Sequence, residues 1–236
     1  DGKHLYLING ITHTPPAGPN EAGFFTSDGV DDYIGAAVGP YAAPAFKINN
    51  GASFTICMWV NCNLLPNTSD HHFVTTGIVT YSPIVTNGLQ FGTGASGNLA
   101  MSYVSKSSFL DGHSFPTSTQ LGQQRWYMIS VVNNATAVAQ DPAGERCYFF
   151  KNGLYCPVSD SVSSVGSEMT TRDWENDIED SLTGTTAVEF GRKHNGSSYE
   201  YTASNTHFSD ILVYDRALAH SEIISNFNAK KGSFGY

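Results

Sequence analysis

Charge is scarce in this chain. Only 14% of its 236 residues are Asp, Glu, Lys or Arg, against roughly a quarter in an ordinary soluble domain. The 12 basic residues are outnumbered by 21 acidic ones, for a net charge of −9. Phosphate backbones are bound through clustered Lys and Arg, so nucleic acid is excluded as an expected partner. No apolar run reaches the ~18 residues that a membrane-crossing helix needs, and no membrane insertion is expected. The chain opens at Asp1 with neither Met nor a basic-then-apolar leader, as expected of a mature fragment or an excised domain. Four cysteines permit an oxidising compartment without requiring one. Gly-x-Ser-x-Gly, a phosphate-cradling Gly loop, His-x-His and His-Glu-x-x-His do not occur, which argues against serine-hydrolase, nucleotide and zinc chemistry. No repeat, low-complexity tract or long linker divides the chain, so residues 1–236 are expected to form one domain.

Aromatic and turn residues are plentiful: 14 Phe, 12 Tyr, 3 Trp and 23 Gly. The bulky side chains suffice to fill the space between two sheets. Strict alternation over 54–62 puts Phe54, Ile56, Met58 and Val60 on one face and Thr55, Cys57, Trp59 and Asn61 on the other. Residues 126–132 repeat the pattern, with Tyr127, Ile129 and Val131 opposed to Trp126, Met128, Ser130 and Val132. In the run from Cys147 to Cys156, two short aromatic strands flank Asn152-Gly153, a strong hairpin signal. Further strands are expected at 6–9, 33–36, 73–80, 88–91, 99–104, 188–190 and 208–214, and Pro15-Pro16-Ala17-Gly18-Pro19 reads as a rigid loop between the first two. One helix is expected over 218–230, where Leu218, Ile223, Ile224 and Phe227 cluster before Gly232 ends the run. The fold class is therefore all-β, an antiparallel β-sandwich (jelly roll) with one short C-terminal helix.

In order, FTSDGVDDYI (25–34), FTICMWV (54–60), WYMISVV (126–132), YFFKNGL (148–154), VEFGR (188–192) and ILVYDRALAHSEIISNFNAKKGSF (211–234) resemble the laminin G-like jelly-roll domains of the concanavalin A-like lectin/glucanase superfamily. The likeness spans residues 24 to 234, and its terminal run is similar to the closing strand and helix of that family. It implies a lectin-like scaffold whose ligands sit on variable loops, in a family common on microbial surfaces and in virion structural proteins. Each motif also has a scaffold reading: alternation faces a core, Lys151-Asn-Gly makes a turn, and Arg216-Ala-Leu218 starts a helix that covers a sheet edge.

Four constellations carry candidate chemistry. Glu175-Asn-Asp177-Ile-Glu179 is similar to the Glu-x-Asp-x-Glu strand of laminarinase-type hydrolases, where one Glu is nucleophile and the other acid; here Asp173 and Asp180 crowd it, as in an acidic loop facing water. Asp28, Asp31 and Asp32 share one turn and offer hard oxygen ligands for a structural Ca2+. In the related hydrolases a calcium ligand lies five residues before the aromatic of the last strand, where Ser209 stands and Asp210 follows; Asp28, Asp31 and Asp210 form the candidate metal set. For glycans, an exposed aromatic stacks on a pyranose while Asn, Asp and Gln bond its hydroxyls; Trp174, Tyr199, Tyr201, Asn195 and Asn205 are the candidate ligand-binding residues, with Tyr81, Tyr103 and His194 beside them in the inventory. Cys147 and Cys156 oppose each other if the hairpin loop is Lys151-Asn152 and fall out of register if it is Asn152-Gly153; Cys57 and Cys62, five apart, take opposite faces of a continuous strand. Sequons begin at Asn67, Asn134 and Asn195.

The reading is a noncatalytic recognition module, secreted or displayed on a cell or virion surface, whose partner is a glycan or glycoprotein. Two alternatives stand beside it: a structural or assembly module forming a homo-oligomer or larger surface or virion assembly, and a polysaccharide hydrolase using Glu175 and Glu179.

Overall fold

The computed structural model describes residues 6–8, 10–18, 21–35, 53–62, 71–77, 88–93, 98–105, 108–114, 120–134, 147–156, 188–194, 199–201 and 205–236. Two seven-stranded sheets, antiparallel at every described pairing, face each other. The first runs β1 (Tyr6–Ile8), β4 (Tyr33–Gly35), β13 (Val188–Phe190), β6 (His71–Gly77), β7 (Gly88–Thr93), β8 (Leu99–Ser105) and β9 (Ser108–Ser114). The second runs β12 (Leu154–Cys156), β11 (Cys147–Lys151), β10 (Trp126–Asn133), β5 (Phe54–Cys62), β16 (Thr206–Tyr214), β3 (Phe24–Ser27) and β2 (Thr12–Thr14). A hairpin of β14 (Arg192–His194) and β15 (Tyr199–Tyr201) forms a small sheet of its own and packs against β6. The all-β sandwich expected from alternation is what forms. Strands β2, β3, β9, β14 and β15 are additions, short or polar segments whose strand character comes from their neighbours rather than from period-two hydrophobicity.

Alternation assigns the faces as the pattern requires. Phe54, Ile56, Met58, Val60, Tyr127, Ile129, Val131, Phe149 and Phe208 of the second sheet bury against Ile34, Phe73, Val74, Phe91, Leu99 and Phe190 of the first. Phe73 is the extra residue of a bulge in β6, because His72 opposes Gly92 while Val74 opposes Phe91. The bulge turns both Phe73 and Val74 into the core. It also forces Gly at position 92, where a β-carbon would stand 1.7 Å from the His71 carbonyl oxygen.

The other face of the second sheet has a core of its own. Cys57, Trp59, Met128, Val132 and Phe150 are covered by Leu218, Ile223 and Phe234. These come from helix α1 (His220–Lys230) and the segments flanking it. The helix thus covers the middle of a sheet face and not an edge, because the outer residues of the two central strands β5 and β10 are themselves large and apolar. With 11 residues, α1 is shorter than the ~12–15 at which isolated helices become marginal, so packing holds it. Its entry is pinned by Thr55, whose hydroxyl donates to Arg216 O and accepts from Leu218 N, each at 2.9 Å. Gly232 does not end the run: the chain passes into a 3-10 turn, Lys231–Phe234, and Gly235 takes the left-handed cap at φ 82°.

Lys151 opposes Leu154, so the hairpin loop is Asn152-Gly153, with φ 54° and 76°, as a type I′ turn requires. Cys156 consequently faces Phe149 and not Cys147. Cys57 lies in the outer core and Cys62 in the inner one, on opposite faces of β5, and Cys57, Cys62 and Cys156 are all free thiols.

Candidate functional site

Strand ends gather at one end of the sandwich. Thr206, at the start of β16, opposes both Ser27 at the end of β3 and Cys62 at the end of β5. The Thr206 hydroxyl also lies 3.4 Å from His71 Nδ1 at the start of β6. These strand ends define one rim of the sandwich, the kind of position at which a rigid scaffold presents its loops.

The best-defined part of that rim is the turn 28–32 between β3 and β4. Gly29, at φ 79°, lets the chain reverse, and the turn then folds on its own side chains. Ser27 Oγ accepts from Gly29 N at 3.2 Å, and Asp28 Oδ1 accepts from Val30 N at 2.7 Å. Asp32 Oδ2 accepts from Asp28 N at 2.9 Å. Asp32 is 1% exposed, whereas Asp28 and Asp31 face solvent. Carboxylate atoms of all three lie within 4.8 Å of one another. Burial pushes the Asp32 carboxyl above its ordinary range; the Asp28 N–H opposes this, and repulsion from Asp28 and Asp31 adds to it. Asp32 Oδ1 is enclosed without a hydrogen-bond partner, and a β-carbon on Gly10 would approach it to 3.3 Å. An all-oxygen group crowded by like charge, with one orphan acceptor, has the donor chemistry of a hard divalent cation.

Asn205 stands beside this turn, exposed, at φ 57°, its N–H donating to Ser27 O at 2.8 Å. Beyond Asp32, Tyr33 carries the Arg192 guanidinium 3.2 Å over its ring. Arg192, 8% exposed, is aimed by a two-pronged pair with Glu189, Nε to Oε2 at 2.7 Å and Nη2 to Oε1. Tyr201 opposes Arg192 and Tyr199 opposes His194 across the β14–β15 hairpin. Asn205 and the acidic turn, far apart in sequence, thus share the rim.

Asp210 stands apart from the acidic group. It occupies the bulge of β16 at φ 43° and forms an ion pair with Lys230 of α1 at 3.3 Å. Sequence reasoning grouped Asp32 with Asp28 and Asp31 in one turn but carried Asp210 into the metal set, because a bulge has no sequence signal. Tyr103 lies in β8, and Asn134 is half-buried just after β10. Trp174, Asn195, Tyr81, the sequons at Asn67 and Asn195, and the Glu175-Asp177-Glu179 triad lie outside the described residues. Among the described residues, Asp28, Asp31 and Asp32 are the one His/Cys/Asp/Glu group close enough to share a metal, and no helix is long and apolar enough to cross a membrane.

No family model matches the chain, and no curated protein matches its sequence. Solved structures do match its fold. The binding domain of Paraclostridial Mosquitocidal Protein 1 superposes with a TM-score of 0.61 at 14% identity, covering 96% of this chain and 47% of that one. The receptor binding domain of botulinum neurotoxin D gives 0.58 at 10% identity, covering 96% and 47%. The CBM40 of the Ruminococcus gnavus IT-sialidase, solved bound to α2,3-sialyllactose, gives 0.54 at 12% identity, covering 83% and 92%. The chain therefore spans about half the length of the toxin domains and nearly all of the CBM40. At these identities the likeness shows the fold, a β-sandwich.

Proposed function

We propose that this chain is a noncatalytic recognition module, extracellular or displayed on a cell or virion surface, that binds a glycan or glycoprotein through the rim holding the acidic turn and Asn205. The observation that carries the reading is the convergence of the turn 28–32 and Asn205 at one end of a rigid double sheet. Two toxin binding domains and a CBM40 solved with a sialylated sugar share the fold, which supports a binding role over a catalytic one. Membership of the concanavalin A-like superfamily belongs to the same proposal.

Asp28, Asp31 and Asp32 are the residues that would hold Ca2+. The ion would neutralise their mutual repulsion and fix the turn against Asn205, a structural rather than chemical service. A glycan array probed with the purified chain, in calcium and in EDTA, tests the reading. Specific binding supports it; silence on a broad array in both conditions overturns it. Calorimetric binding of Ca2+ that is lost in Asp28→Asn and Asp31→Asn supports the metal, and unchanged heats in those variants remove it.

A second reading, a structural or assembly module, is favoured by Leu154 and Tyr155 on β12, at the end of the second sheet's strand order, exposed by 71% and 36%. Outward apolar groups there suit a neighbouring subunit. A concentration-dependent rise in sedimentation mass, abolished by Leu154→Lys, would support it.

A further inference from the structure

The C-terminal cover on the second sheet stops short of the rim. Phe234 stacks on Trp59 and approaches Trp126 to 5.0 Å between ring centroids, and the residues beyond it on that face are half-buried or exposed. Pairing registers put one transverse row there: Trp126 opposite Asn61, Asn61 opposite His207, His207 opposite Thr26, and Thr26 opposite Thr12. Five adjacent strands thus contribute indole, amide, imidazole and two hydroxyls. Trp126, Asn61, His207 and Thr26 are half-buried and Thr12 is exposed, whereas Cys57, Trp59, Met128 and Val132 on the same face are covered. Phe24 leans over the row, its ring 4.8 Å from His207 and 5.7 Å from Trp126. Thr26 Oγ1 and His207 Nδ1 are 2.8 Å apart. At the centre, Asn61 Oδ1 is enclosed with no hydrogen-bond partner.

Resting on the recognition reading above, we infer that this row is a binding site for a neutral hexopyranose, which lies against Phe24 and Trp126 and exchanges hydrogen bonds with Asn61, His207 and Thr26. Aromatic rings offer the apolar C–H face of a pyranose its best partner in water. Amide, imidazole and hydroxyl groups both donate and accept, as sugar hydroxyls do. Burial holds the His207 imidazole below its ordinary value, which disfavours its charged form. None of the row's own side chains is a Lys or Arg, and the carboxylates of Asp28, Asp31 and Asp32 follow close behind Thr26 in sequence. With no cation among the row's own side chains, an uncharged ring suits it better than a carboxylated one. Arg125 adjoins the row at its Trp126 end, which makes sialyllactose the necessary anionic comparison.

The test is a titration of the whole chain with lactose, cellobiose, N,N′-diacetylchitobiose and α2,3-sialyllactose, following indole N–H signals by NMR, with Trp126→Phe identifying the Trp126 signal. The expected result is a shift of that signal with at least one neutral disaccharide, and about tenfold weaker binding in Phe24→Ala and in Asn61→Ala. If either variant unfolds, Phe24→Leu and Thr26→Val take its place. Neutral-sugar binding that leaves the Trp126 signal and these affinities untouched overturns the row. Tighter binding of sialyllactose than of its neutral parent overturns the preference for an uncharged ligand. No binding to any of the four overturns the inference; a positive glycan array would then leave the recognition reading standing, and a silent one would end both.

Discussion

The ring of Phe234 lies on that of Trp59 with centroids 4.0 Å apart and planes 12° from parallel. Trp59 projects from the central strand of one sheet, so this pair fastens the C-terminal segment to the sandwich. Phe227 adds a second stacked ring at 5.6 Å. Phe234→Ala removes a side chain that is 7% exposed and should cost ~3 kcal/mol, the scale of buried aromatic truncations. A lower urea midpoint at unchanged slope would show it; an unaltered midpoint would mean that the cover contributes nothing.

Two glycines separate steric need from tolerance. At Gly92 an added β-carbon meets the His71 carbonyl at 1.7 Å, and at Gly232 it meets nothing within 4 Å. Gly92→Ala should destabilise by at least ~3 kcal/mol, because a backbone atom cannot rotate aside. Gly232→Ala should be neutral or stabilising by up to ~1 kcal/mol, from the reduced freedom of the unfolded chain. Thermal denaturation of the two variants in parallel decides it.

Asp32 sets a pH dependence. Its carboxyl is raised above the ordinary value, chiefly by burial, so the stability associated with its neutral form is full below the ordinary carboxylate value and is lost as pH rises through the raised one. In EDTA, melting temperature should therefore carry a downward contribution as pH rises from about 4 through that raised value, and Asp32→Asn should remove it. Bound calcium should reverse the slope, since the ion favours the ionised carboxylates. Identical pH profiles for the two proteins in EDTA would contradict this.

Glu222 behaves oppositely. The Arg216 guanidinium, at 2.9 and 2.6 Å, and the N–H of Ala219, at 2.9 Å, hold its carboxyl down to about 2. Its contribution should be complete above the ordinary Glu value and vanish as pH falls toward 2. Both partners are solvent-exposed, so the effect should shrink in high salt. Acid unfolding of Glu222→Gln, compared with the parent at low and high ionic strength, measures it.

The thiols of Cys57, Cys62 and Cys156 should be inert in the folded protein. Burial raises all three, Cys62 to about 12, and a thiol that is not ionised does not alkylate. Peptide mapping after iodoacetamide treatment at pH 8 should find these positions unmodified until denaturant is added.

The faces of β5 and β10 were legible in sequence because extended chain alternates by geometry: once Ile56 and Ile129 point inward, Trp59 and Met128 must point outward. The Asn152-Gly153 turn was legible for a similar reason, since few residue pairs accept two positive φ values in succession. The fold class and the C-terminal helix follow from such local rules. The destination of that helix does not. Its seat on the face holding Trp59 depended on which sheet face remained uncovered once the two sheets had met. The bulges at Phe73 and in β16 likewise appear only in the pairing registers, and the second removes Asp210 from the acidic group and gives it to Lys230. Strand register, set by the whole sheet, brings Asn205 beside Ser27 and lines up Trp126, Asn61, His207 and Thr26. The sequence by itself determined which side chains face inward along each alternating strand, a property of a few neighbouring residues. Only the tertiary structure decided which residues share a site, because that requires hydrogen-bonded pairing between segments more than a hundred positions apart.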